Sequence, residues 1–428
     1  MGTVLMDVLE EHLDEASWQW LQRSRALMAP DFNLSETAAV EERLLAHVDG
    51  LVEAGSDGVE TCLLPALTPD DPCRASAAAL ALLEGGDAGW EWVLERGLGD
   101  PELRPLLREP LELAGCPGLD ERLGALLSTD DAGLLAEVVG TLSARGTLSS
   151  DVVRRCLQHE DARVRGSALE GAIAAPRPEL RAPLLELLAS GPSESCPLRL
   201  EAGLVHGLRE AWDACGRAVD AGVHEALIPW ALGCDERGVA RLVALLAREP
   251  IRAQALWALG FSGRLEAADA CLAWMEDPKV ATLAGEAFCA ITGLRLEGEH
   301  VAAQAENFSE SLEEDDLDAD LTPRPEDDLP LPRASAVAAW WKNARGGLTP
   351  GRRYLRGRLL DAAVLMEALA VDSMRRRHVL ARELALRTRG ACRVQTRARI
   401  ERQRAMLQQL ASSRIQVRLQ SPLVQGLA

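Results

Sequence analysis

Two histidine–glutamate neighbours, His159-Glu160 and His224-Glu225, are the residues whose types could hold a metal. Metal chemistry needs several His and carboxylate ligands to converge on one ion. The two pairs stand 65 residues apart, and Glu299-His300 runs in the reverse order, so no metal ligand and no cofactor is assigned. The carboxylate pairs Asp70-Asp71 and Asp130-Asp131 could share acid–base work. Both fall where apolar runs begin, and there an Asp side chain caps the free N–H groups of a helix. Phosphate chemistry finds no loop: the only lysines, Lys279 and Lys342, do not follow a glycine. Nucleophile elbows and zinc-binding H-E-x-x-H are missing too, and the pattern begun by Gly97 and Gly99 has Glu102 in its third glycine position. No catalytic residue is assigned, and the chain reads as non-enzymatic.

Binding is left. Arg375, Arg376 and Arg377 form a triplet, and Arg352, Arg353, Arg356 and Arg358 surround Tyr354. Such guanidinium clusters suit an acidic protein partner or nucleic-acid phosphate, or they pair with the chain's own acids. Trp340-Trp341 adds a candidate anchor, because neighbours on a helix point about 100° apart and cannot share one core face. The candidates for partner contact are therefore Trp340, Trp341, Arg352, Arg353, Tyr354, Arg356, Arg375, Arg376 and Arg377. The other tryptophans, Trp18 and Trp20 among them, read as core.

The elements that must position these residues are helices. Apolar residues make up 47% of the 428, mostly Leu and Ala, while 6 Ile, 4 Phe and 1 Tyr leave few strand formers. An acidic or small residue, often followed by Pro, recurs before apolar helical runs at Asp71, Asp100, Asp130, Asp161, Cys196, Glu249 and Asp277. The first spacings are 29, 30, 31 and 35 residues, and the next gap of 53 is close to two units. One helix pair per unit fits this period. In Leu134, Leu135, Val138, Val139 and Leu142 the spacing paints one broad helix face. Helices are expected over 4–28, over 36–54 with Ser35 as cap, over 361–369, 372–387 and 393–410; residues 210–236 resist phasing.

The segments Asp161-Ala-Arg-Val-Arg-Gly-Ser-Ala-Leu-Glu-Gly-Ala and Pro250-Ile-Arg-Ala-Gln-Ala-Leu-Trp-Ala-Leu-Gly resemble the second helix of HEAT-type repeats. The resemblance implies an all-α fold, a HEAT/armadillo-like α-solenoid with a helical C-terminal region. Four divisions follow: an N-terminal helical cap (1–60), repeats (61–305), an acidic Pro-rich linker (306–333) and a basic helical C-terminal region (334–428). The stretches 40–55 and 284–294, with Trp340-Trp341 and 351–357, also resemble an unassigned bacterial family of HEAT-repeat proteins found near type VI secretion genes. The repeats, the missing catalytic motifs and the charge split point to a scaffold or adaptor, and the resemblance implies service to a type VI secretion system, with an effector or spike component as partner. HEAT solenoids include a di-iron family resembling deoxyhypusine hydroxylase, whose metal is held by four His-Glu pairs. This chain has two, so that reading is set aside.

Charge and processing signals bound the rest. Net charge is −20, which disfavours a mainly nucleic-acid-binding chain. The total hides a split: residues 334–428 carry 19 bases against 5 acids, +14, leaving −34 elsewhere. Nucleic acid bound by the basic end is thus the alternative reading. The start of the chain has neither the basic nor the apolar stretch of a secretory signal, and no apolar run nears the ~20 residues of a membrane span. With ten scattered cysteines and no C-x-x-C, a cytoplasmic chain without membrane contact is expected.

Overall fold

The computed structural model describes residues 6–189, 197–302, 324–413 and 416–428. The described chain is all-α apart from one two-residue hairpin, β1 (Tyr354–Leu355) and β2 (Arg358–Leu359), paired antiparallel. The expected linker lies outside the described residues up to 323. Its two flanks meet, since the Ala302 amide donates to the Leu331 carbonyl and the Arg333 amide to that of His300.

The chain begins with α1 (Met6–Met28) and α2 (Leu34–Val52). A series of longer helices follows: α3 (Pro72–Glu84), α4 (Arg104–Leu113), α5 (Ala132–Arg145), α6 (Ala162–Ala174) and α7 (Pro197–Val205). Next come α8 (Arg209–Ala221), α9 (Leu227–Gly233), α10 (Glu236–Leu245), α11 (Glu249–Ser262), α12 (Leu265–Leu272) and α13 (Ala281–Thr292). Each of α1, α3, α4, α5, α6 and α7 packs on the next, and α9, α11 and α13 do the same, with α8 touching both α7 and α9. The residues that make this row pack are small. Ala75, Ala77, Ala78 and Ala79 of α3 are fully buried, as are Ala255 and Ala258 of α11, so neighbouring axes approach closely.

The acidic starts act as the capping argument requires. Asp71, Asp131 and Asp161 accept the backbone N–H groups of their first turns. At α2 the cap is Asn33, not Ser35. Asn33 accepts from Ser35 and Glu36, and Glu36 returns the bond to the Asn33 amide, a reciprocal box that Ser35 is one turn position too late to make. The stretch 210–236 resolves into α8, a turn at His224–Ala226 and α9, with Trp212 stacked on Trp230 at 4.6 Å.

The C-terminal region holds α14 (Ala334–Ala344), the hairpin, α15 (Ala362–Val371), α16 (Met374–Thr388) and α17 (Ile400–Ser412). It is not a separate basic end: α16 packs on α1, α7 and α9, and α17 packs on α2. Its Leu365, Leu369, Met374 and Leu384 share one apolar core with Leu27, Val205 and Leu259 of the row. Residues 393–399, expected as helix, precede α17 instead. Their arginines and Gln395 reach the carbonyl ends of row helices, which draws the backbone out along the row. Trp18 is 53% exposed, a correction to its reading as core; it sits on the outer face of α1, opposite buried Ala16 and Trp20. Among the described residues no helix is long and apolar enough to cross a membrane.

Candidate functional site

The predicted contact residues are mostly inside the molecule. Arg353 is 1% exposed. Its guanidinium forms a two-pronged ion pair with Glu383 and donates to the carbonyls of Ser262 (2.9 Å), Phe261 (3.0 Å) and Leu419 (3.0 Å). Arg377 is 0% exposed and bonds Leu369 O at 2.5 Å and Gln403 Oε1 at 3.0 Å. Arg375 and Arg376 lie over the Trp257 ring, beside the buried Glu286. Trp341 is buried with its indole N–H on Asp269 at 2.8 Å, and Trp340 is half-buried beside it, both edge-on to Phe288. Tyr354 is buried and its amide donates to Gly263 O at 2.7 Å. Only Arg352 and Arg356 of the set are exposed. Most of the set is thus not an open surface: the Arg353 guanidinium is spent on helix-end carbonyls and Glu383, and that of Arg377 on Leu369 O and Gln403, whereas Arg375 and Arg376 are buried with donors left unbonded.

One pattern governs that spending. The C-terminal region runs along the carbonyl ends of the row helices in reverse order. The Arg356 amide meets Ala290 O of α13, and Arg353 meets the end of α11. Arg387 reaches Leu232 O of α9 at 2.7 Å. Arg393 then bonds Ala174 O of α6, Gln395 bonds Ala144 O of α5 at 2.6 Å, and Arg399 bonds Leu113 O of α4 at 2.7 Å. Helix C-termini carry unpaired carbonyls and partial negative charge, and a guanidinium satisfies both.

Between the row and this layer lies a cavity of about 560 Å³. The row contributes Arg108, Glu109 and Glu112 from α4, Glu170 from α6 and Glu201 from α7. The layer contributes His378, Arg382, Arg393, Thr396, Arg397 and Arg402. Arg108 bonds Glu112 at 2.9 Å and also Glu170; Arg382 meets Glu201 at 2.9 Å. Burial pushes the Glu112 carboxyl up, with Arg108 pulling against it. Burial opposes the Arg108 charge, but Glu170 and Glu112 outweigh it and hold the guanidinium above its usual range. Arg393 and Arg402 are both lowered, first by burial. Among the described residues no carboxylate bonds Arg393, Arg397 or Arg402.

His378 and Thr396 form the one hydroxyl–imidazole pair in this cavity. Leu27 O, 2.7 Å from Nε2, can only accept, so Nε2 carries the proton and Nδ1 accepts the Thr396 hydroxyl at 2.6 Å. The order hydroxyl, imidazole, acceptor is that of an activated nucleophile. Its third member is a neutral carbonyl, however, and burial with Arg397 nearby brings the imidazole down to about 4. So weak a base cannot take a hydroxyl proton near neutrality. The pair instead clips α16 to the end of α1.

The His-Glu neighbours do not come together. His159 Nδ1 accepts the Asp161 amide, and His224 faces its own Glu225 at 3.3 Å. Among the described residues no three His, Cys, Asp or Glu side chains are grouped as metal ligands. Sequence reasoning missed the cavity acids, although Glu170 stands inside the small apolar run 168–173, where a lone carboxylate is a signal.

The fold and cavity thus define an all-α protein with a two-signed cleft open to solvent along one side. No family model matches the sequence, and no curated protein does. A solved engineered protein from a structural genomics programme aligns over 89% of this chain and 98% of its own, at 17% identity and a TM-score of 0.29, a likeness too loose to carry an argument.

Proposed function

We propose that the chain is a non-catalytic scaffold, an α-solenoid of HEAT-like repeats that holds an acidic segment of a protein partner in the cleft between the row and its own C-terminal layer. The observation that supports this most is the donor balance of the cleft. Arg393, Arg397 and Arg402 keep spare guanidinium N–H groups there, with no carboxylate of the described residues bonded to them. The serial packing of the row supports the repeat reading, since each repeat unit of a solenoid packs on its neighbours. The row also already accepts a non-helical segment, residues 389–399, along its helix ends. By the sequence resemblance, the partner is sought among effector and spike components of a type VI secretion system.

Photo-crosslinking of the intact protein in cells of its source tests the reading. A crosslinker replacing Ile173, in the cleft, should trap one specific protein, and Arg402→Glu should abolish the product. A crosslinker at the outward-facing Arg154 should trap nothing in common with it. Identical products from both positions, or none from the cleft, would overturn the proposal.

A further inference from the structure

A second cavity, of about 320 Å³, lies between α13, the turn joining α15 to α16, and the loop after α1. Glu286 of α13 and Arg376 of α16 both line it. The Glu286 side chain is 9% exposed, yet its Oε2 accepts no hydrogen bond. Arg376 Nη1 is buried and donates none. The two groups face one another at 4.0 Å, and Glu286 stands 3.7 Å from Arg375, beyond hydrogen-bond reach in both cases. Polar groups this far apart can be bridged by a third group that lies beside them, on the cavity side.

The lining limits what that group is. Arg356 and Asp372, also on the wall, pair with each other at 3.1 Å. On the wall that leaves one orphaned acceptor and one orphaned donor, with the unbonded Nη1 of Arg375 behind Glu286 and off the wall, and the four charges on the wall sum to zero. A net anion would meet Glu286 and Asp372, and a net cation would meet Arg356 and Arg376. The remaining wall is apolar, from Leu296, Leu329 and Val371. We propose that this cavity binds a small zwitterion with an apolar tail, an α-amino acid of about leucine's size, its ammonium on Glu286 and its carboxylate on Arg376. This site is separate from the scaffold cleft and stands or falls without it. Burial raises the Glu286 carboxyl and lowers Arg376, as expected of two charges that lack a bonded counter-ion.

Titration calorimetry of the intact protein with L-leucine, up to about 20 mM, is the test. Saturable binding is expected, and 4-methylpentanoate and isoamylamine, each with one charged head, should bind at least about ten-fold more weakly. Glu286→Gln should weaken leucine binding by about ten-fold or more. Should that variant not fold, Val371→Trp decides the matter: Val371 is 49% exposed at the rim, and a Trp there closes the mouth. A folded protein with no saturable leucine heat overturns the proposal, because water alone then fills the gap. Equal affinity for leucine and either analogue, or leucine binding that survives Val371→Trp, overturns it as well.

Discussion

His378 shows how one side chain ties the two ends of the chain together. Its ring joins Thr396 to the Leu27 carbonyl, and the bond in which Nδ1 accepts the Thr396 hydroxyl needs the neutral imidazole. Burial, then Arg397, holds its pKa at about 4 in the fold, against an ordinary 6.5 once unfolded. Between those values the unfolded chain binds the proton and the folded one does not. The contribution is therefore whole above pH 6.5 and is lost as pH falls toward 4. Wild type should lose roughly 2–3 kcal/mol more than His378→Gln between pH 7 and pH 4, read from urea unfolding at each pH. The buried acids Glu112, Glu286 and Asp372 are raised, so they act with the opposite sign, but equally in both proteins. Equal losses in the two would show that the imidazole is not buried neutral. None of this is visible in the sequence, where His378 follows three arginines and reads as part of an exposed basic run.

The elements were the most legible level; the cap of α2 was misplaced locally, by two residues, and the larger failure has a long-range cause. Asp71, Asp131 and Asp161 announced helix starts because capping is local chemistry, decided within four residues. Residues 393–399 looked helical because their alternatives lie over 200 residues away, on the ends of α4, α5 and α6. A shorter separation, 63 residues, hid the role of Gly293. With φ at +78° it ends α13, and a Cβ there would stand 2.5 Å from Arg356 O, so only glycine lets the hairpin dock on the helix end. Arg399 tests this docking at a less buried point. It holds Leu113 O and Glu84 at once, binding the start of α17 to α4 and α3. Arg399→Ala should cost about 1–3 kcal/mol, as expected when a charge-assisted contact to partly buried groups is removed. Amides of 400–412 should then exchange at least about ten-fold faster, while those of α5 keep their protection. Uniform acceleration across the chain would mean that α17 has no local stability of its own.

At the scale of the molecule, the charge split of −34 and +14 predicts attraction between the acidic bulk and the basic end, and sequence could go no further. What it could not tell is how much of that contact is Coulombic. The described contacts say that much of it is not, although Arg345, Arg382 and Arg399 do pair with acids of the row. Arg353, Arg387, Arg393 and Arg399 donate to backbone carbonyls, Arg353 and Arg377 are fully buried, and the row and the layer share one apolar core. Exposed ion pairs weaken as salt shortens the Debye length from about 8 Å at 0.15 M to about 3 Å at 1 M, whereas buried pairs and apolar contact do not. Residues 1–302 and 324–428 made as two chains in one cell should therefore co-purify and stay together on gel filtration in about 1 M NaCl. Separation at about 0.3 M NaCl would mean that screened surface charge holds them. The retained complex would instead make the basic layer part of the protein's own core, with the cleft arginines among the basic groups still open to a partner.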